Sequence, residues 1–214
     1  FCKYSIPALI NDFAWTLAFS MYSVIMGHMN ADVVAANSVV STVRNLCMIM
    51  GFALGSGASV LLGIEIGQGR IEDARRDARK SCYVTLVVGI ATGILILLLR
   101  PLVFMCFSLT DRAEGYLNIM LWISSYYVVG QAMNTLLISG VFRAGGDSKF
   151  GMICDIIVMW GISVPLGFLC AFVWNLPPMA VYFILCLDEF WKIPAVYVHY
   201  KKFGWLKDIT REYE

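Results

Sequence analysis

Six ionisable side chains fall inside long apolar runs: Asp12, Arg44, Asp155, Asp188, Glu189 and Lys192. In hydrocarbon each costs at least ~2.5 kcal/mol, so each needs a partner or a task. Asp188 and Lys192 are four apart and Glu189 and Lys192 three apart, so one helical turn can hold an ion-pair cluster. Such a cluster either neutralises itself, a structural role, or meets a ligand. Two acids flank one lysine, and Arg44 at similar depth is available to the extra acid. Asp155, near the end of its run, is expected to touch water. Asp12 has no basic neighbour on its own helix and sits in Pro7-x-x-x-Asn11-Asp12-x-x-Trp15. Pro7 removes a backbone hydrogen bond and invites a kink. A loosened backbone beside a carboxylate and an amide forms either a cation site facing a cavity or an interhelical hydrogen bond.

Two polar stripes share these depths. Asn37, Ser41, Arg44 and Met48 follow i, i+4, i+7, i+11, and Ser124, Tyr127, Gln131 and Asn134 follow i, i+3, i+7, i+10. Stripes of this kind either glue helices together or line a water-filled cavity. Gly51, Gly55, Ser59, Gly63 and Gly67, each four apart, form a face that admits close helix approach, and Gly89-x-x-x-Gly93 is a weaker copy. Enzymatic chemistry has no such support. HExxH, GxSxG and GxxxxGK[ST] are absent, and neither His28 nor His199 has a second histidine at metal spacing. Gly55-x-Gly57 and Gly67-x-Gly69 lack the third glycine of a dinucleotide site. No enzyme, metal site or cofactor is expected, and the two histidines read as interfacial. The seven cysteines contain no CxxC pair and read as small lipid- or helix-facing residues.

The elements that position these groups follow from composition. The 214 residues are 59% hydrophobic and 14% charged, against about 25% charged in soluble domains. That apolar surface exceeds what a soluble domain this size can hide, and a net charge of +1 gives no basis for a nucleic-acid partner. An all-α polytopic membrane protein remains, in contact with a lipid bilayer. Six stretches reach the roughly 20 apolar residues of a spanning helix: about 5–27, 34–63, 82–108, 116–141, 150–174 and 179–200, with no separate soluble domain in 1–214. The second is long enough to tilt or protrude, and 65–81 is the one strongly polar linker.

Lys3, Arg70, Arg75, Arg76, Arg79, Lys80, Arg143, Lys149, Lys201, Lys202, Lys207 and Arg211 fall in one set of loops; only Arg100 and Arg112 fall in the other. This asymmetry predicts that both termini are cytoplasmic, and six spans return the chain to its starting side. Tyr4, Tyr116, Trp122, Trp174, Tyr197, Tyr200 and Trp205 lie near span ends and read as interfacial anchors. The chain starts at Phe1 without a charged region ahead of a cleavage site; no signal peptide is expected, and further sequence is expected upstream.

PALINDFAWTLAFSMYSVIMG (7–27), DVVAANSVVSTVRN (32–45) and GFALGSGASVLLGIEIGQGRIEDAR (51–75) resemble segments of the multidrug and toxic compound extrusion (MATE) family. So do FRAGGDSKFGM (142–152), WGISVPLGFL (160–169) and KKFGWLKDIT (201–210), in order over nearly the whole chain. The resemblance implies one six-helix lobe, helices seven to twelve, of a twelve-helix transporter whose partner is its own N-terminal lobe. It implies an antiporter that exports drug-like cationic or amphipathic compounds against Na⁺ or H⁺ from the plasma membrane, as in a bacterial inner membrane. The expected cleft surface is Asn11, Asp12, Trp15, Asn37, Arg44, Tyr127, Gln131 and Asn134, with Asp188, Glu189 and Lys192 as a structural cluster. Some members carry an acid in the seventh helix where this chain has Trp15, and another in the tenth helix, where Gln131 and Asn134 stand here. The main coupling carboxylate is therefore expected in the N-terminal half. The rival reading is a non-transporting membrane module, a channel subunit or assembly scaffold built on the small-residue faces.

Overall fold

The computed structural model describes the backbone of residues 2–206 and side chains from residue 6 onward. Lys207 and Arg211 of the basic set, and the side chains of Cys2, Lys3 and Tyr4, lie outside the described residues. Every regular element among those described is helical: α1 (Cys2–Met29), α2 (Ala31–Cys47), α3 (Ile49–Gly67), α4 (Ile71–Cys106), α5 (Asp111–Asn134), α6 (Ser148–Asp155), α7 (Val164–Phe168), α8 (Pro178–Leu185) and α9 (Asp188–Lys201). Wider, π-helical turns continue α5 through Thr135–Phe142 and join α6 to α7 through Ile156–Ser163, and a third stretch, Leu169–Val173, follows α7. Four helical stretches are long and apolar enough to cross a membrane: Ile6–Met29, Ile49–Gly67, Ile71–Cys106 and Ser148–Val173.

Local chemistry sets the helix starts. The Asn30 side chain caps α2 by accepting from the Asp32 N–H, and Thr110 caps α5 by accepting from the Ala113 N–H. Asp32, Asp111 and Glu114 sit in these first turns, where the helix dipole favours anions. Thr110 also donates to Asp32 Oδ1 at 2.7 Å, tying the two starts together at one end of the bundle.

Several elements differ from the sequence expectation. The long second span is not one tilted helix: it breaks at Met48, whose ψ of −4° leaves the helical value while its backbone N–H still bonds Arg44 O. The sixth run divides likewise into α8 and α9 around Cys186 and Leu187. The segment 71–81 is no linker but the first three turns of α4. Glu72–Arg75, Asp73–Arg76 and Asp77–Lys80 pair at i, i+3 on its wet side, while Ala74 and Ala78 are buried on the other. The proline at 7 does not break α1, which runs continuously through it.

α4 packs along α5, α2 along α5, α3 along the Thr135–Phe142 stretch, and α1 along α6. The small-residue face is consumed at one end only. A Cβ on Gly140 would stand 2.9 Å from Gly55 O, so the two backbones meet there, whereas Gly63 and Gly67 face open space. A larger core around Tyr22, Met26, Val40, Leu121 and Tyr127 is joined by a smaller one around Leu62, Phe142, Val196 and Trp205. The outside stays apolar, with Phe13, Val87, Leu98 and Met105 well exposed, as a hydrocarbon solvent requires.

Among the described residues, one expected interfacial residue is packed inside and a second, His199, is partly covered. Trp205 is fully buried, stacked 6.3 Å from Tyr200. His199 stacks 3.7 Å from the Phe150 ring and lies 2.8 Å, Nε2 to Oδ2, from Asp147. Trp122, Trp174 and Tyr197 do face outward, and His28 is exposed.

Candidate functional site

Two cavities lie side by side within the bundle and share Trp15. The larger, about 300 Å³, is bounded by α1, α2, α5 and α8 and lined by Trp15, Phe19, Tyr22, Asn37, Ser41, Arg44, Tyr127, Gln131 and Tyr182 among others. The smaller, about 190 Å³, lies between α1, α3, α6, α9 and the junction of α5 with its π-helical continuation. Its lining includes Asn11, Asp12, Trp15, Asn134, Asp155, Glu189 and Lys192. All eight residues expected on the cleft surface thus line one cavity or the other. Asn37, Ser41 and Arg44 of the α2 stripe and Tyr127 and Gln131 of the α5 stripe line the larger one, Asn134 lines the smaller, and Ser124 bonds Tyr182 between helices.

The charged groups are arranged differently from the sequence expectation. Lys192 is buried and its Nζ lies 3.0 Å from Asp155 Oδ1 and 3.2 Å from Glu189 Oε1. Asp155 is therefore a buried ion-pair partner, not a water-facing residue. Asp188 makes no ion pair with Lys192 among the described contacts. Its Oδ2 accepts from Tyr22 OH at 3.2 Å and its Oδ1 from the Glu189 N–H at 2.8 Å. Asn134 completes the cluster, its Nδ2 donating at 2.7 Å to both the Glu189 carbonyl and Oε2. Asn134 is the last residue before α5 widens into its π-helical stretch, a distortion that recurs at functional sites.

Asp12 is not a buried, unpartnered acid: its side chain is 59% exposed and forms an ion pair with Arg143. Arg44 does not meet the extra acid; among the described residues it has no ion pair. Its guanidinium carbon instead lies 5.4 Å from the Phe19 ring centre and 5.2 Å from that of Tyr127. Several buried polar atoms have no partner among the described residues, including Asn11 Oδ1, Arg44 Nε, Tyr127 OH, Gln131 Oε1 and Asn134 Oδ1. Such atoms are costly in a dry interior and mark places where water or a ligand's polar groups fit.

Sequence reasoning missed Tyr22, Tyr182 and Arg143. Tyr182, on α8, lines the larger cavity with its hydroxyl 3.0 Å from Ser124 Oγ. No spacing rule links these residues to their partners, which lie 58 to 166 positions away. The tyrosines' placement within apolar runs was the one available signal.

An apolar helical bundle whose polar groups converge on cavities between its helices defines a polytopic membrane protein. The chain belongs to the MatE family, whose model matches residues 7–169. Similar curated proteins include the uncharacterized transporter YisQ of Bacillus subtilis, 23% identical over 78% of this chain and 36% of its own length. A probable multidrug resistance protein NorM of Halalkalibacterium halodurans is 23% identical over 83% of this chain and 38% of its own. Human multidrug and toxin extrusion protein 1 is 25% identical over 87% and 33%. The chain thus spans well under half the length of these relatives. Among solved structures, the Vibrio cholerae MATE transporter VcmN in the bent form superposes with a TM-score of 0.81 at 16% identity, over 94% of this chain and 45% of that one. A MOP superfamily transporter from Pyrococcus furiosus gives 0.82 at 17% identity, over 92% and 43%. At these identities the likeness establishes the fold.

Proposed function

We propose that the chain is one six-span lobe, the second half, of a twelve-helix multidrug exporter in the plasma membrane, as in a bacterial inner membrane. Both termini are cytoplasmic in this reading, and residues 1–214 form a single unit. The paired cavities carry the reading. They lie between helices of the bundle, are reached by polar residues from several of them, and keep amide and hydroxyl groups that are unpartnered among the described residues. A static scaffold gains nothing from leaving such groups unbonded. The cargo in this reading is drug-like cations and amphipathic compounds; relatives named for multidrug resistance and toxin extrusion support drug-like compounds in general.

Export proceeds by alternating access, one lobe rocking against the other about sites near the midplane. Na⁺ or H⁺ drives it, with the main coupling carboxylate in the N-terminal lobe. Asp155 and Glu189 already share Lys192, and Asp12 already has Arg143. The test is efflux of a fluorescent cation from vesicles holding the full-length transporter, with Na⁺ and H⁺ gradients imposed separately. Gradient-dependent flux is expected. Flux that ignores both gradients, or none with any amphipathic probe, would favour a non-transporting module.

A further inference from the structure

The larger cavity has one charged residue in its lining, Arg44, and no carboxylate. Arg44 is 8% exposed. Its aromatic neighbours supply only ring faces, its Nε lacks an acceptor, and no carboxylate lies within ion-pair distance among the described residues. Asp188 is near enough to act on it electrostatically. That acid, however, lines neither of the two cavities, and both its oxygens are engaged by Tyr22 OH and the Glu189 N–H. The acids Asp12, Asp155 and Glu189 all lie at the other cavity, beyond Trp15.

A guanidinium held in low dielectric with no carboxylate in ion-pair contact among the described residues is a preformed site for an anion: it is permanently charged, planar and rich in donors. Ring faces on two sides hold the side chain in place, and Trp15, Phe19, Tyr22 and Tyr182 offer flat apolar walls around the same space. Asn37, Ser41 and Gln131 supply neutral polar groups.

We infer that the larger cavity is a subsite for the anionic group, a carboxylate, of an aromatic amphipathic ligand, with Arg44 as its counter-ion. The inference rests on the transport reading for its physiological meaning, but it concerns binding alone. A ligand carrying both charges fits the pair of cavities, its carboxylate at Arg44 and its cationic end toward the acids past Trp15.

The test is calorimetric titration of the purified full-length transporter in detergent with 2-naphthoate and with its uncharged isostere, 2-naphthamide. The carboxylate is expected to bind at least tenfold more tightly than the amide. R44Q is expected to erase that preference to within twofold, while R44K keeps part of it. Should R44Q fail to fold, S41D tests the same point with the arginine retained: an acid at i−3 supplies an internal partner, and the preference should again vanish. A wild-type protein that binds the two compounds equally, or a preference that survives R44Q or S41D, overturns the inference. Gradient-driven efflux of a fluorescent cation, measured alongside, separates the two claims. Efflux without a carboxylate preference sinks the subsite alone, and a carboxylate preference without efflux sinks the transport reading alone.

Discussion

Lys192 is the residue on which the buried charges depend. Removing it leaves Asp155 and Glu189 without their cation at less than 10% exposure, and breaking a buried pair from one side costs about 3–5 kcal/mol. Lys192→Ala should therefore lower the melting temperature and the yield of folded protein more than it changes ion dependence. Unchanged stability with lost coupling would show that the cluster works in transport. Asp12 stands at the other extreme. It is more than half exposed, and an ion pair of that kind contributes roughly 0–1 kcal/mol. Asp12→Asn should leave thermal stability nearly intact and weaken binding of cationic substrates, with gradient-driven export still measurable. If gradient dependence vanished while binding survived, Asp12 would be the coupling carboxylate. Lys192 and Asp12 had one thing in common in the sequence, each being a charged residue in an apolar run. Their contrast comes from partners 37 and 131 positions away, which no local pattern reports.

At the scale of elements, the closest helix approach sits at Gly93 on α4, where an added Cβ would lie 2.3 Å from the Ser125 carbonyl oxygen of α5. Backbone cannot give way as a flexible side chain does, so Gly93→Ala should cost about 1–3 kcal/mol or more. Gly115, in the first turns of α5, has nothing within 4 Å, and Gly115→Ala should be neutral or stabilise by up to ~1 kcal/mol. Thermal denaturation in detergent compares them; equal effects would mean that α4 and α5 are less tightly joined than described. The Gly89-x-x-x-Gly93 spacing announced this contact. The apolar runs likewise announced where helices lie, because a run of some 20 apolar residues has few other uses. The break at Met48 and the π-helical turns after Asn134 and Asp155 were not announced. They arise where packing between distant helices decides the backbone, and each of the two π-helical stretches is an apolar run carrying a single glycine, Gly140 or Gly161, with no proline. The polar stripes predicted the cavity-facing side of α2 and α5, whereas Tyr22 and Tyr182 stayed hidden among ordinary core residues.

For the whole molecule, orientation is the first quantity to fix. In a cysteine-free background, a membrane-impermeant thiol reagent added outside should label a cysteine at position 112 and spare one at position 76. The reverse pattern would invert the topology and place both termini outside. The same end of the molecule carries the first turns of α4, about 16 Å of helix at 1.5 Å per residue ahead of the apolar stretch from Cys82. That overhang is continuous with the span, and its salt-bridged turns keep it stiff. It therefore behaves as a pointer fixed to the lobe. A tilt of about 10° at the membrane sweeps its tip through roughly 3 Å, from the same helix rise. Angular motion too small to see inside the bundle becomes a displacement at the far end of this helix, where Ala74 and Ala78 pack against the smaller core.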